Sequence, residues 1–434
     1  MNRNKTSEIF NSSTYTKLTM ASMFIYTLTS LPFEQISKVA SVIFLVLSLP
    51  LLFQERKKIF KDPMVVILGF IIIIQIASWL SSTIQYPEFA NSIPKLDRLT
   101  KLFLFIFIAY WLKGNTRKIY ALLFCYLTSV LLSLVIYPDA INVFIAGLDG
   151  VRVNFGLKNA QYTSMFGGMC FIICAFFILQ EVKKLQKNIY YILLLILLSV
   201  IFFIVMLISQ SRQVFLALLV SILVLPILAK ITINTVSIKN TFLFYILILL
   251  SVLTISNMNF VDKRVMRESS AINLVLQGDI DKIPMDDTNS TLLRVNSWIE
   301  SWKWIKKNPV LGADSSAIPQ VIIQSEKFQS SSAKGFRHLH NFHIEVLVAY
   351  GILGLLAIYA VYGWLLISLF KIKKKIPEAT PFALLASVFC VFWFIINFFE
   401  NFDSRSYGVF THNIILGCCY TFYLTNSLQS QKEE

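Results

Sequence analysis

The stretch that decides the fold is residues 189–208, which read IYYILLLILLSVIFFIVMLI. A helix of about 20 apolar residues crosses the hydrocarbon layer of a bilayer, so this stretch predicts a membrane-spanning helix. A second apolar run, 214–229, follows almost at once and leaves Arg212 in the short turn between the two. A charged side chain is costly there without a partner, which predicts a functional role for Arg212. The alternative is that Arg212 extends to the lipid headgroups.

Similar apolar runs fill most of the 434-residue chain. Hydrophobic residues make up 56% of the sequence, charged residues only 15%, and the mean hydropathy is +0.67. Soluble domains carry about 25% charged residues, so this composition excludes an ordinary soluble protein. The sequence predicts an all-α polytopic integral membrane protein with about 12 transmembrane helices. Their predicted positions are 18–35, 39–54, 64–82, 97–112, 119–137, 161–180, 189–208, 214–229, 241–256, 343–370, 380–399 and 409–427.

The basic residues orient these helices. With the N-terminus in the cytoplasm, 20 of the 39 lysines and arginines fall on the cytoplasmic side and 8 in the short outer loops, so both termini are predicted to be cytoplasmic. The other 11 lie in residues 257–341, the one large predicted outer loop, where we expect the catalytic residues. The predicted organisation is nine transmembrane helices in 1–256, the loop in 257–341, and three more helices with a cytoplasmic tail in 342–434.

Within this loop, apolar residues recur at helical spacing from Leu292 to Ile305 and predict an amphipathic helix. The helix carries Trp298, Trp302 and Trp304. Two placements stay open, one at the outer membrane–water interface and one packed against the helix bundle. The Ser- and Lys-rich stretch 325–335 is predicted to be a mobile segment or lid.

Arginines and histidines concentrate on the predicted outer side. Arginines hold phosphate oxygens with two donors at once, so the arginines there predict a site for a lipid-linked pyrophosphate. Histidine takes a proton near neutral pH, which predicts a general base; a metal site built on the three clustered histidines is the alternative. The sequence lacks a nucleotide-binding motif, so the energy for a reaction must come with the substrate. These residues are Arg152, Arg212, Arg294 and Arg337, with His338, His340, His343 and His412.

The loop ends in His340-Asn341, nine further residues, and then Gly351-Ile352-Leu353-Gly354. This spacing resembles the His-[Asn/Ser/Gln]-x9-Gly-x-x-Gly signature of the O-antigen ligase family. Three further matches occur in family order, and together they cover about the last two thirds of the chain. They are Arg152-Val153-Asn154-Phe155-Gly156, Ser211-Arg212, and Arg294-x3-Trp298 followed by Pro309-x-x-Gly312.

The resemblance implies a GT-C-like glycosyltransferase at the periplasmic face of the inner membrane of a Gram-negative bacterium, with the large loop periplasmic. Its donor would be undecaprenyl-pyrophosphate-linked O-antigen and its acceptor the lipid A-core oligosaccharide. Membrane lipids would surround it, and no nucleic acid, cofactor or metal is expected. The resemblance assigns His340 as base and Arg212, Arg294 and Arg152 as pyrophosphate ligands, and Arg337 joins them here by its position. The expected supporting residues are His338, Asn341, Trp298, Gly351 and Gly354.

One base and no evident carboxylate nucleophile predict a single displacement that inverts the anomeric centre. Glu345, Asp314 and Glu300 are the carboxylates that could act as nucleophile instead. The rival functions are an O-antigen polymerase, a periplasmic protein O-oligosaccharyltransferase and a lipid-linked glycan flippase. The complete signature spacing favours the ligase, and the position of the charges at the outer edge argues against a flippase, since transporters place ionisable residues deep in their spans.

Overall fold

The structure is a computed structural model that describes residues 12–233, 245, 283–285 and 289–430. Every regular element in this part of the chain is a helix, which confirms the all-helical prediction. The longer helices are α1 Ser13–Thr29, α2 Glu34–Gln54, α3 Pro63–Gln85, α4 Phe105–Leu112, α5 Thr116–Val135, α6 Ala140–Leu148, α7 Ala160–Val182, α8 Ile189–Ile208, α9 Arg212–Ile233, α10 Ser290–Lys307, α11 Ala317–Ile323, α12 Phe342–Ile372, α13 Thr380–Phe399 and α14 Ser406–Ser430. Short helical turns occupy Arg56–Ile59, Asp97–Thr100, Lys101–Phe103, Glu326–Gln329, Ser332–Gly335, Pro377–Ala379 and Phe402–Ser404.

Seven of the described helices are long and apolar enough to cross a membrane: α3, α5, α7, α8, α9, α12 and α13 with its preceding turn. These helices support a multi-pass membrane protein. Helices α1, α2 and α14 occupy three more of the predicted positions. Apart from residue 245, the ninth predicted run, 241–256, lies outside the described residues, as do residues 257–282 of the predicted loop, so the count of 12 and the side of the loop stay predictions.

The predicted span at 97–112 has a different form from the others. It consists of two short turns followed by the eight residues of α4. Asn413 of α14 explains the break, because its side chain accepts the Phe105 N–H at 2.8 Å and donates to the Lys101 carbonyl at 2.9 Å. These bonds replace helical hydrogen bonds at the point where the helix is interrupted.

The bundle is built around α7, α13 and α14, whose side chains are buried along most of their length. Polar residues at helix starts fix where several of the surrounding helices begin. Their side chains accept backbone N–H groups that would otherwise be unpaired. The capping residues are Asp62 for α3, Asn115 for α5, Asn159 for α7, Asn188 for α8 and Asn341 for α12.

Helix α12 is broken at Gly351, which has φ +59° and ψ −162°. The turn that follows α10 docks into this break, since the Ile352 N–H donates to the Pro309 carbonyl at 2.9 Å. A Cβ on Gly351 would lie 2.3 Å from the Val310 carbonyl oxygen, so only glycine fits. Gly312 makes the reciprocal close approach to the backbone of α12. The Pro309-x-x-Gly312 and Gly351-x-x-Gly354 segments, far apart in sequence, therefore form one contact.

Helix α10 packs against the bundle, the second of its two predicted placements. Trp298 contacts the end of α13, and Trp304 packs on Tyr86 and Phe89 beside α3, with ring centroids 5.6 and 5.7 Å away. Only Trp302 of the three tryptophans is exposed, at 55%. The stretch predicted to be a mobile lid forms two helical turns and is anchored by the fully buried Phe328.

Candidate active site

His340 lies in the connection that leads into α12, at the end of the bundle where α13 ends and α14 begins. The residue before it is fixed on both sides. The Leu339 carbonyl accepts hydrogen bonds from Trp298 Nε1 at 3.0 Å and Ser297 Oγ at 3.3 Å, and the Leu339 N–H donates to Glu345 at 3.0 Å. Helix α10 therefore positions the histidine, which is the structural reason for the predicted support by Trp298.

His340 adopts a left-handed backbone conformation with φ +51°. This conformation costs a non-glycine residue about 1–2 kcal/mol, and the surrounding contacts must hold it in place. Asn341, which follows, caps α12 by accepting the Ile344 N–H at 3.0 Å. His340 and Asn341 thus have separate tasks: Asn341 starts the helix, and His340 directs its ring towards the end of α13.

The partner of the His340 ring is Glu400, at the end of α13. Nδ1 of His340 lies 3.1 Å from Oε2 of Glu400. Burial raises the pKa of the Glu400 carboxyl, but the hydrogen bond and charge of His340, together with the charge of Arg294, outweigh this effect, so the pKa is lowered. An ionised carboxylate can only accept, so Nδ1 carries a hydrogen, and in the neutral form of the ring Nε2 keeps its lone pair. That arrangement makes Nε2 the basic atom.

His338 lies against His340, with ring centroids 4.1 Å apart. Burial, followed by the nearby charge of His340, lowers the pKa of His338. One ligand atom each from His338, His340 and Glu400 lie within 4.8 Å of one another, which is compact enough for a metal ion. The charges of Arg294 and Arg405 act on this same group of residues and disfavour a divalent cation there.

His343 has a different surrounding from the other two clustered histidines. Its ring is buried in the bundle, where Nε2 lies 3.2 Å from the Phe394 carbonyl and Nδ1 lies 3.2 Å from the Tyr359 hydroxyl. The structure therefore separates His343 from the His338 and His340 pair. His412 is buried as well, with Nδ1 3.3 Å from Asp403.

The four predicted arginines fall into three places. Arg294, on α10, is close enough to Glu400 to lower its pKa. Arg152 and Arg212 share the corner between α8 and α9, where Arg152 Nε donates to the Ser209 carbonyl at 3.4 Å. Arg337 is exposed, and its guanidinium donates to two carbonyls of its own turn at 2.8 and 2.9 Å.

The three carboxylates considered as possible nucleophiles are engaged elsewhere. Glu345 is fully buried, forms an ion pair with Arg98, and accepts from Asn401 at 3.1 Å. Asp314 accepts the Asn91 amide at 2.8 Å, and Glu300 pairs with Lys303 at 2.9 Å. These bonds leave Glu400 as the carboxylate beside the base.

Glu400 did not emerge from the sequence analysis. It follows the apolar run of α13 in the stretch FFENFD, where an acidic residue looks like an ordinary end of a span. The usable signal is topological: the start of α12 and the end of α13, two consecutive spans, must lie at the same face, so a carboxylate after α13 can meet a histidine just before α12. His340 and Glu400 are sixty positions apart, so no local sequence pattern links them.

The fold and site define a multi-pass helical membrane protein with a histidine and carboxylate pair at one end of its bundle. Residues 197–359 match the family model described as O-antigen ligase, so this part of the chain is similar to the O-antigen ligase family, whose members are glycosyltransferase-like ligases and polymerases. The matched segment contains Arg212, Arg294, His340 and both signature glycines, whereas Arg152 and Glu400 lie outside it. A search of curated proteins found no match.

Proposed function

We propose that the protein is an O-antigen ligase that transfers O-antigen polysaccharide from undecaprenyl-pyrophosphate to the lipid A-core oligosaccharide, at the periplasmic face of the inner membrane. One observation carries this proposal. Within the family's own signature, Nδ1 of His340 is bound to Glu400, which leaves Nε2 as a base. A base of this kind is what an acceptor hydroxyl requires in glycosyl transfer.

The reaction is a single displacement at the anomeric carbon of the donor sugar. Nε2 of His340 takes the proton of the acceptor hydroxyl while the hydroxyl oxygen forms its bond to that carbon. The bond between the carbon and the pyrophosphate oxygen breaks, and its electron pair leaves with undecaprenyl pyrophosphate. Glu400 stabilises the imidazolium formed in this step. Attack from the side opposite the leaving group inverts the anomeric centre.

The arginines supply the positive charge that the leaving group needs. Charge accumulates on the pyrophosphate as the glycosidic bond breaks, and guanidinium groups compensate it in a fixed geometry. Arg294 is the best placed of them, because its charge already acts on Glu400, the partner of His340. Arg212 and Arg152, at the α8–α9 corner, would hold the donor from a second side. With these cations the reaction proceeds without a metal ion.

Lipopolysaccharide gel profiles test the proposal. A strain lacking the gene should make lipid A-core without O-antigen and accumulate long undecaprenyl-linked polymer, and the wild-type gene should restore the ladder. His340→Ala should behave like the deletion, and His412→Ala, which removes a buried histidine that pairs with Asp403 and not with Glu400, is the matched control. Membrane levels of each variant must be compared by immunoblot.

Other gel patterns would identify a rival function. A single repeat unit attached to the core in the deletion strain would mean a polymerase. Normal lipopolysaccharide together with loss of a protein-linked glycan would mean an oligosaccharyltransferase. A flippase should tolerate His340→Ala, since moving a lipid-linked glycan across the membrane requires no base.

A further inference from the structure

A cavity of about 240 Å³ opens beside the base, between the starts of α7 and α14 and the end of α13. His340 forms part of its wall. Drug-sized pockets measure roughly 300–1,000 Å³, so this cavity suits about one sugar ring rather than a length of polysaccharide. The arginines proposed for the pyrophosphate are not among its described lining residues. The cavity therefore shares the base with the donor site but uses other side chains.

The charged side chains of this cavity are two cations, Lys158 and Arg405, and the Glu400 carboxylate. Glu400 is already bound to His340. The guanidinium of Arg405 is exposed and has no hydrogen-bond acceptor within the described part of the chain. The Lys158 ammonium is held 5.3 Å from the ring centroid of Tyr407, a cation–π contact that keeps it at the cavity wall.

Two neighbouring features support an anion between these cations. The first turns of α7 and α14 line the cavity, and helix N-termini favour negative charge. Outside the cavity, the Glu34 carboxylate acts on both Lys158 and Tyr407, and it is paired with Lys38 at 2.9 Å. The cavity therefore offers two cationic groups while its one lining carboxylate is already bound to His340.

We propose that this cavity binds the acceptor, and that Lys158 and Arg405 recognise a phosphate or carboxylate on the sugar next to the accepting hydroxyl. This inference rests on the proposed transferase function. A base must touch the hydroxyl that it deprotonates, so the acceptor has to occupy the space beside His340. Arg405 can hold such an anion with two parallel N–H bonds, and Lys158 adds a single point charge. The ring of Tyr162, also in the wall, provides an apolar surface and a hydroxyl for the sugar itself.

Transfer assays with two matched acceptors test this assignment. The full-length protein in lipid nanodiscs is given lipid-linked donor and a core oligosaccharide with a phosphate beside the accepting sugar, or the same oligosaccharide after enzymatic dephosphorylation. In Lys158→Gln and Arg405→Gln the preference for the phosphorylated acceptor, measured as the ratio of kcat/KM values, should fall about tenfold. Arg405→Lys should recover part of it. Lys95→Gln removes an exposed cation from the connection after α3 and should keep the wild-type ratio.

Two binding measurements decide the remaining outcomes. If the variants weaken binding of undecaprenyl pyrophosphate by the same factor as they lower kcat/KM for both acceptors, the cavity holds the donor and the inference is wrong. It is equally wrong if the acceptor preference is absent in the wild type or unchanged in the variants. If the wild type transfers to neither acceptor but binds the phosphorylated oligosaccharide, and Lys158→Gln and Arg405→Gln lose this binding, the site stands and the proposed function fails.

Discussion

Replacing Glu400 by glutamine is the most informative perturbation of the site. Glutamine has nearly the same shape but no charge, so it removes the anion beside His340 while preserving the packing at the end of α13. Its amide can also donate to Nδ1, which would place the ring hydrogen on Nε2 and abolish the base. Both effects act on the transferase step rather than on donor binding.

The expected loss follows from the 3.1 Å contact between His340 and Glu400. An imidazolium charge about 4 Å from a carboxylate is stabilised by about 4 kcal/mol at an effective dielectric constant near 20. One fifth of the His340 side chain is exposed, and the charge is only partly developed in the transition state, so about 3 kcal/mol, or roughly 100-fold in kcat, is expected. Glu400→Asp keeps the charge and should recover part of the rate.

The assay is transfer of lipid-linked glycan by the purified protein in nanodiscs, followed by gel and mass spectrometry over a range of pH. Without the anion the protonated ring is less stable, so the acidic limb of the Glu400→Gln rate profile should move to lower pH. A merely structural role would not move it. Because the pKa of Glu400 is lowered, its contribution to stability is present above the usual carboxyl range and is lost as the pH falls through that lowered pKa. Wild-type kcat in Glu400→Gln, or a loss explained by unfolding alone, would refute the dyad.

Three further predictions concern the scaffold. Gly351→Ala should lower the unfolding temperature markedly in a thermal-shift assay, because residue 351 has a positive φ and its new Cβ would lie 2.3 Å from a backbone oxygen. Gly363→Ala, with open space around it, should leave the unfolding temperature unchanged or raise it slightly. Trp298→Phe removes the hydrogen bond from the indole N–H to the Leu339 carbonyl and should reduce kcat about tenfold. Trp302→Phe, at an exposed position, should leave kcat unchanged. Equal effects of the two substitutions on kcat would contradict a role of Trp298 in positioning His340. His343→Ala should reduce the free energy of unfolding by about 2–3 kcal/mol, because both ring nitrogens are hydrogen-bonded inside the bundle. The loss would be measured as a lower unfolding temperature, and an inactive but fully stable variant would contradict this prediction.

The sequence predicted the helical membrane class well, and it marked His340 as the candidate base. Uncharged apolar runs of about 20 residues such as 189–208 favour a helix in a bilayer, since a helix pairs its backbone polar groups within its own segment. The spacing from His340 to Gly354 is local along the chain, so it was visible as a motif. The span at 97–112 is helical as predicted but irregular, because an Asn413 side chain from the other end of the chain replaces some of its helical hydrogen bonds, and hydropathy does not register this contact.

Only the tertiary structure decided which residues accompany the base. Glu400 is sixty positions from His340, and a lone acidic residue after an apolar run carries no periodic signal. No sequence pattern links Lys158 and Arg405 either, since they come from opposite halves of the chain and meet only in the wall of the cavity. Residue types and spacing determine which helices form and where they start. The way those helices pack determines which distant side chains meet, because such contacts depend on the summed geometry of the bundle and not on any local stretch.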